Sequence, residues 1–159
     1  MADTKLLAEV CDALLNGIRT TNKRILDRLY KDHDKVFSEE KLLERCLGEA
    51  FDSLSAWQEI HGSNLMKSYI LYSLVIAIVN LRKTFEALND LEVQRGSIRS
   101  RERVVANLSQ LADALNYDVD EAPSEYKEFV AACASRTNVK DQRIIRIKWL
   151  SRALVSDEL

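Results

Sequence analysis

The sequence predicts an all-α fold, a single-domain bundle of about seven helices around one central apolar helix. The first observation is the stretch from Leu65 to Leu81, LMKSYILYSLVIAIVNL, which is the most apolar part of the chain. It is longer than an ordinary strand of about 5–6 residues and shorter than the roughly 20 residues that span a bilayer. The second is that 159 residues contain only four Gly and one Pro, which leaves long segments without helix breakers.

Three helices are predicted before the central one. Apolar residues recur at helical spacing over residues 6–18 and again over residues 25–30, which gives each of these helices one apolar stripe. A third helix keeps the same spacing from Leu42 to Ile60 and is expected to stop at His61-Gly62. The short connection that follows makes the third helix and the central helix antiparallel neighbours.

The central helix is expected to cover about residues 64–94, and three more helices follow it. Ser100 can cap a fifth helix, Pro123 suits the first turn of a sixth, and Asn138 can cap the last. The last helix carries two apolar faces, so it is either wedged between neighbours or covers a partner. One face holds Ile144, Ile147, Leu150 and Leu154, and the other holds Ile145, Trp149 and Ala153.

Composition restricts the class of protein. With 47% hydrophobic and 30% charged residues the chain is typical of a globular protein, and a net charge of −2 argues against nucleic-acid binding through bulk charge. Cys11, Cys46 and Cys133 lie far apart among apolar residues, as expected of small core hydrophobes in a reducing compartment. Because the start of the chain also lacks a signal peptide pattern, we expect a cytoplasmic protein that does not enter membranes.

The segment RLYKDH, from Arg28 to His33, has the Arg-x4-His spacing of the all-helical HEPN-type ribonucleases. In those enzymes the pair serves attack on a phosphodiester by the ribose 2′-hydroxyl. On a continuous helix, residues five apart lie about 140° apart around the axis, so the pair faces one phosphate only if the helix bends. The alternative interpretation is that this segment is only the solvated end of a helix. The run Asp32-His33-Asp34 has metal-ligand residue types, but adjacent helical residues point in different directions, so no metal site is expected.

The densest basic cluster consists of Arg95, Arg99, Arg101 and Arg103. Two of these arginines fall in the first turn of the predicted fifth helix, where the helix dipole disfavours positive charge. An anionic group should therefore compensate them. One interpretation is that a nearby carboxylate such as Glu102, or simply the solvent, compensates this charge. The other is that the arginines contact the phosphate backbone of a nucleic acid or another docking partner.

The common catalytic and cofactor signatures do not occur in the sequence. GxGxxG, the P-loop, GxSxG, CxxC and HExxH are all missing from it. The sequence accordingly predicts no catalytic residue, no cofactor and no enzyme activity.

Three stretches resemble the helical C-terminal region of the bacterial GmrSD-type restriction family. They are ADTKLLAEVCDALLNGI, LMKSYILYSLVIAI and SRTNVKDQRIIRIKWLSRAL. The N-terminal domain of that family carries a DGQQR motif on a ParB-like fold. No DGQQR occurs here, and the DQR at residues 141–143 is not its equivalent, so no nuclease residue is carried over.

The resemblance implies a non-catalytic helical scaffold or interaction domain of a bacterial DNA-restriction or phage-defence protein. The chain would then be the helical half of a larger protein or a free-standing relative. The implied partners are a DGQQR-bearing catalytic domain, in cis or in trans, and DNA. A third hypothesis, a plain oligomerisation module, predicts a large apolar surface buried between copies of the chain.

Overall fold

The computed structural model describes residues 2–33 and 37–159, and within these ranges it contains seven α-helices and no strand. The prediction of an all-α bundle is confirmed. The helices are α1 (Ala2–Asn16), α2 (Lys23–Asp32), α3 (Glu40–Ala56), α4 (Ser68–Arg82), α5 (Arg101–Ala114), α6 (Lys127–Ala134) and α7 (Lys140–Val155). Three short 3-10 turns, Gln58–Ile60, Asn64–Met66 and Glu86–Leu88, join them.

Helix α4 is the centre of the bundle. Ten of its fifteen residues are buried, including an unbroken run from Tyr72 to Asn80. Helices α1, α3 and α7 pack around it. A helix that is apolar on all sides is stable in water only when it is enclosed in this way, so the apolar run of the sequence correctly marked the element on which the others pack.

The expected span of the central helix, residues 64–94, is wrong at both ends. The chain first makes the 3-10 turn Asn64–Met66, capped by Ser63, and enters the helix only at residue 68. Beyond residue 82 the backbone becomes extended at Lys83 (φ −139°, ψ 120°). Phe85, Leu88 and Leu91 are nevertheless buried. They reach the core from a 3-10 turn and an extended segment, so their helix-like spacing reflects coverage of the core and not a continuing helix.

Two other boundaries differ for similar reasons. Helix α3 ends at Ala56 and not at His61, because Trp57 leaves the helical region and a 3-10 turn carries Ile60 into the core. Helix α6 begins at Lys127, whereas Pro123 lies in the turn before it and accepts a hydrogen bond from the backbone of Tyr126 (2.9 Å). In both places a turn takes the position at which the sequence predicted helix.

Helix α7 is wedged between neighbours, as one of the two alternatives for its double apolar face predicted. It packs against α4, α5 and α6. Ile147, Leu150 and Leu154 are fully buried, while Trp149 on the other face packs beside Phe129 of α6 and donates through Nε1 to the carboxylate of Glu128 (2.7 Å). Both faces of α7 therefore find partners within this chain.

Candidate functional site

The arginines of the basic cluster all donate hydrogen bonds within the chain. Arg95 donates through Nη1 to the backbone carbonyl of Asn80 (3.0 Å). Arg99 pairs with the carboxylate of Asp157, with Nε 3.2 Å from Oδ1. Arg103 donates to the backbone carbonyl of the same aspartate (3.3 Å). The extended segment before α5 is thus tied to the end of α4 and to the residues that follow α7.

The best-paired member of the cluster is Arg101. Its Nη2 donates to both carboxylate oxygens of Glu59 (2.8 Å each), and its Nε donates to the backbone carbonyl of Ala56 (2.9 Å). The compensating carboxylates of the cluster are therefore Glu59 and Asp157. Glu102 instead accepts from its own backbone N–H and from the hydroxyl of Ser100, which lower the pKa of its carboxyl. A nucleic-acid contact by these arginines stays a prediction, and it would compete with these bonds.

Arg28 and His33 line one small cleft of about 240 Å³. Helix α2 ends at Asp32, and His33 follows as its cap residue with a non-helical backbone conformation (φ −116°, ψ 11°), while its backbone N–H still donates to the Leu29 carbonyl (3.3 Å). Asn16 and Arg19, from the end of α1 and the loop after it, complete the lining. The Arg28 guanidinium, which is largely exposed, also lies 3.5 Å from the carboxylate of Asp32, the last residue of α2.

The second arginine of this cleft is already engaged. Arg19 forms two hydrogen bonds with the fully buried carboxylate of Asp12, one of them from Nε (2.7 Å), and this pairing raises the pKa of Arg19. Asp34, the last residue of the Asp-His-Asp run, lies outside the described residues. Within the described ranges no group of three or more potential ligands lies close enough to hold a metal ion.

A buried ion pair that sequence reasoning missed joins α7 to α1. Arg143 is almost fully buried, and its Nη2 donates to Glu9 Oε2 (3.1 Å) and to Thr21 Oγ1 (2.9 Å). Its Nη1 donates to the backbone carbonyl of Arg19 (3.1 Å). The guanidinium lies 4.3 Å from the centroid of the Tyr72 ring, a cation–π distance. Burial raises the pKa of the Tyr72 hydroxyl to about 12.

Within the described part of the chain, the second buried arginine of α7, Arg146, is held by a hydroxyl and two backbone carbonyls and has no carboxylate partner. Its Nε donates to Ser73 Oγ (3.2 Å), and its two terminal nitrogens donate to the backbone carbonyls of Ala132 (2.6 Å) and Thr137 (2.5 Å). Burial lowers the pKa of this guanidinium. The sequence does carry a signal for both arginines: residues 143, 146, 147 and 150 follow the i, i+3, i+4, i+7 spacing of one buried helix face.

An open apolar groove, the α1–α2 groove, separates the first two helices. It has a volume of about 490 Å³, and its walls are almost entirely apolar. Two of the large apolar side chains that remain exposed in the described part of the chain, Leu7 (39% exposed) and Tyr30 (54% exposed), lie in it. Its walls are formed by Thr4, Leu7, Ala8, Cys11, Leu15, Leu29, Tyr30, His33 and Phe37.

Comparison with known proteins leaves the family open, because no family model, no curated protein and no solved structure matches this chain. The resemblance to the GmrSD-type helical region therefore stays a prediction. Its three stretches fall mainly on α1, α4 and α7, and α4 packs against both of the others. Among the described helices, none combines the length and the apolar character needed to cross a membrane.

We predict that Glu9→Gln destabilises the protein by about 3 kcal/mol, because it leaves the buried Arg143 charge without its carboxylate. Urea unfolding measures the change. The matched control is Glu49→Gln, which removes an exposed pair with Arg82 (3.9 Å) and should cost less than about 1 kcal/mol. The double variant Glu9→Leu with Arg143→Met should recover much of the loss. Equal effects of the two single variants would show that the buried pair does not hold α1 to α7.

Proposed function

We propose that this chain is a non-catalytic helical scaffold and interaction domain, and that it docks its partner in the α1–α2 groove. One observation carries the proposal. Within residues 2–33 and 37–159, α2 is the helix that buries none of its residues, although Ile25, Leu26, Leu29 and Tyr30 give it a clear apolar stripe.

Physical chemistry explains why such a helix favours a docking role. A helix of ten residues is marginal in water and depends on packing of its apolar face for stability. Three residues of the stripe are half-buried, Tyr30 is exposed, and α2 contacts α1. Burial of apolar surface contributes about 25 cal/mol per Å², so covering the rest of the stripe with a partner would stabilise both the helix and the complex.

We assign this domain to a cytoplasmic bacterial DNA-restriction or phage-defence protein, with a DGQQR-bearing catalytic domain, in cis or in trans, as the partner. The sequence resemblance supports this assignment. A role of Arg95, Arg99, Arg101 and Arg103 in contacting DNA is less favoured, because these side chains already donate to groups of this chain.

Site-specific photo-crosslinking tests the groove as an interaction surface. We expect p-benzoylphenylalanine in place of Tyr30 to form an adduct in the source cells with a DGQQR-bearing chain or with a second copy of this protein. The same group in place of Tyr117, which is equally exposed but lies outside the groove, should form neither. If position 30 yields neither adduct, or both positions yield the same ones, the groove is not the docking surface.

A second candidate function is ribonuclease activity in the cleft of Arg28 and His33. The observation that favours it is that both side chains line one polar cleft together with Arg19. Histidine titrates near neutral pH and can act as a general acid or base, and arginine can bind a phosphate.

This candidate predicts that the purified protein cleaves RNA, and that His33→Ala and Arg28→Ala each lower the rate at least 100-fold. His61→Ala is the matched control: it removes the other histidine of the chain, whose Nε2 donates to the Leu54 carbonyl. Gel analysis of labelled RNA measures the cleavage. The absence of cleavage by the unchanged protein between pH 6 and 8, or equal activity of all variants, rules this function out.

A further inference from the structure

We infer that a cavity between α1 and the starts of α4 and α7, the three-helix cavity, binds phosphate, either as the free ion or as the phosphate group of a small organic ester. Its wall includes Lys5, Glu9, Ser68, Tyr69, Asn138 and Arg143. Its volume of about 350 Å³ lies within the usual range of ligand sites, about 300–1,000 Å³. On α1, Lys5 and Glu9 face away from Leu7 and Cys11, so this site is separate from the α1–α2 groove and independent of the proposed docking surface.

Two helices begin beside the three-helix cavity. Ser68 and Tyr69, the first two residues of α4, lie in its wall, and so does Asn138, two residues before α7. Among the described residues, neither helix has a side-chain cap. The backbone hydrogen bonds of α4 begin with Ile70, whose N–H donates to the Lys67 carbonyl (2.9 Å). The two N–H groups before it and the positive end of the helix dipole are thus left to attract an anion.

The charged side chains of the wall give the cavity a positive sign. Two of them, Lys5 and Arg143, are positive and one, Glu9, is negative, a net charge of +1. The carboxylate of Glu9 is already engaged, because Oε1 accepts from the hydroxyl of Thr21 (2.7 Å) and Oε2 accepts from Arg143 (3.1 Å). Since Glu9 and Arg143 balance each other, the exposed ammonium group of Lys5 determines the charge that a ligand meets.

An unpartnered donor of Arg143 indicates independently that an acceptor is missing here. The side chain is 3% exposed and lines the cavity. Its Nη1 and Nη2 groups donate to protein oxygens, whereas its buried Nε has no hydrogen-bond partner in the described part of the chain. A buried charged donor without an acceptor is rare, because it has lost its bond to water. A ligand in the cavity can supply that acceptor, directly or through a water molecule.

The chemistry of the wall favours phosphate over a metal ion. A hard cation needs several oxygen ligands with negative charge, and Glu9, the carboxylate of this wall, is already bonded. Backbone N–H groups, the Lys5 ammonium group and the Asn138 amide can instead donate to the oxygens of a phosphate. Leu6 and the ring of Tyr69 supply apolar surface against which the organic part of an ester can pack.

Titration of the purified full chain with phenyl phosphate and with inorganic phosphate, followed by two-dimensional ¹H–¹⁵N NMR, tests the site. We expect saturable shifts of the Ser68 and Tyr69 amide signals, with a dissociation constant of about 0.1–1 mM. Phenol, which lacks the phosphate, should leave these signals unchanged. Tighter binding of phenyl phosphate than of inorganic phosphate assigns the site to an ester, and equal binding assigns it to the free ion. If neither phosphate saturates these shifts by about 20 mM, or if phenol causes the same shifts, the inference is overturned.

Two pairs of variants then locate the bound phosphate. Lys5→Ala should weaken the binding of phenyl phosphate about tenfold, whereas Lys41→Ala, at an exposed position near the start of α3, should leave the dissociation constant unchanged. Ser68→Pro removes a backbone N–H and a hydroxyl, and Ser68→Ala removes the hydroxyl alone. Proline is tolerated at the first position of a helix, and Lys67 already has the extended conformation (φ −59°, ψ 133°) that proline requires before it.

The proline variant should bind phenyl phosphate at least fivefold more weakly than the alanine variant, because it lacks one donor to the anion. The same NMR titration gives the dissociation constants of all four variants. Equal constants for the two lysine variants, or for the two variants of Ser68, would show that the phosphate does not bind at the start of α4 and would overturn the inference.

Discussion

The enclosure of α4 is the constraint on which the rest of this structure depends. An apolar run as complete as Tyr72–Asn80 can exist in water only inside a shell of other helices. Helix α7 makes the most extensive contact with α4, and it brings two arginines into the core. Arg143 then requires the carboxylate of Glu9, and this fixes α1 against α7. One apolar helix thus determines the positions of its neighbours through packing, and a buried ion pair sets their register.

The same arrangement engages two groups of arginines, which could otherwise have formed a site, in contacts within the chain. The cluster from Arg95 to Arg103 connects the extended segment to the ends of α3, α4 and α7. The arginines of α7 hold the core together. In the described part of the chain, the α1–α2 groove brings together two of the exposed large apolar side chains, Leu7 and Tyr30, which is why the docking proposal places the partner there.

The sequence was sufficient for the fold class because an apolar run, few helix breakers and regular spacing are local properties. Spacing could not locate the end of α4, since Phe85 and Leu88 cover the core equally well from a turn. The buried arginines were missed because a charged residue is normally expected at the surface. The groove could not be predicted at all: the stripe of α2 has the same pattern as the stripe of a core helix, and only the tertiary structure shows that the described part of the chain buries none of the residues of α2.

Native-state hydrogen exchange tests the central claim most directly. The claim is that α4 is the enclosed core and that α2 lacks the stability that packing against a partner would provide. At micromolar concentration, amides of α4 should exchange only through global unfolding, and those of α2 should exchange at least 100-fold faster through local opening. Equal protection of the two helices at low concentration would contradict the account, because α2 would then already have its full stability within a single chain.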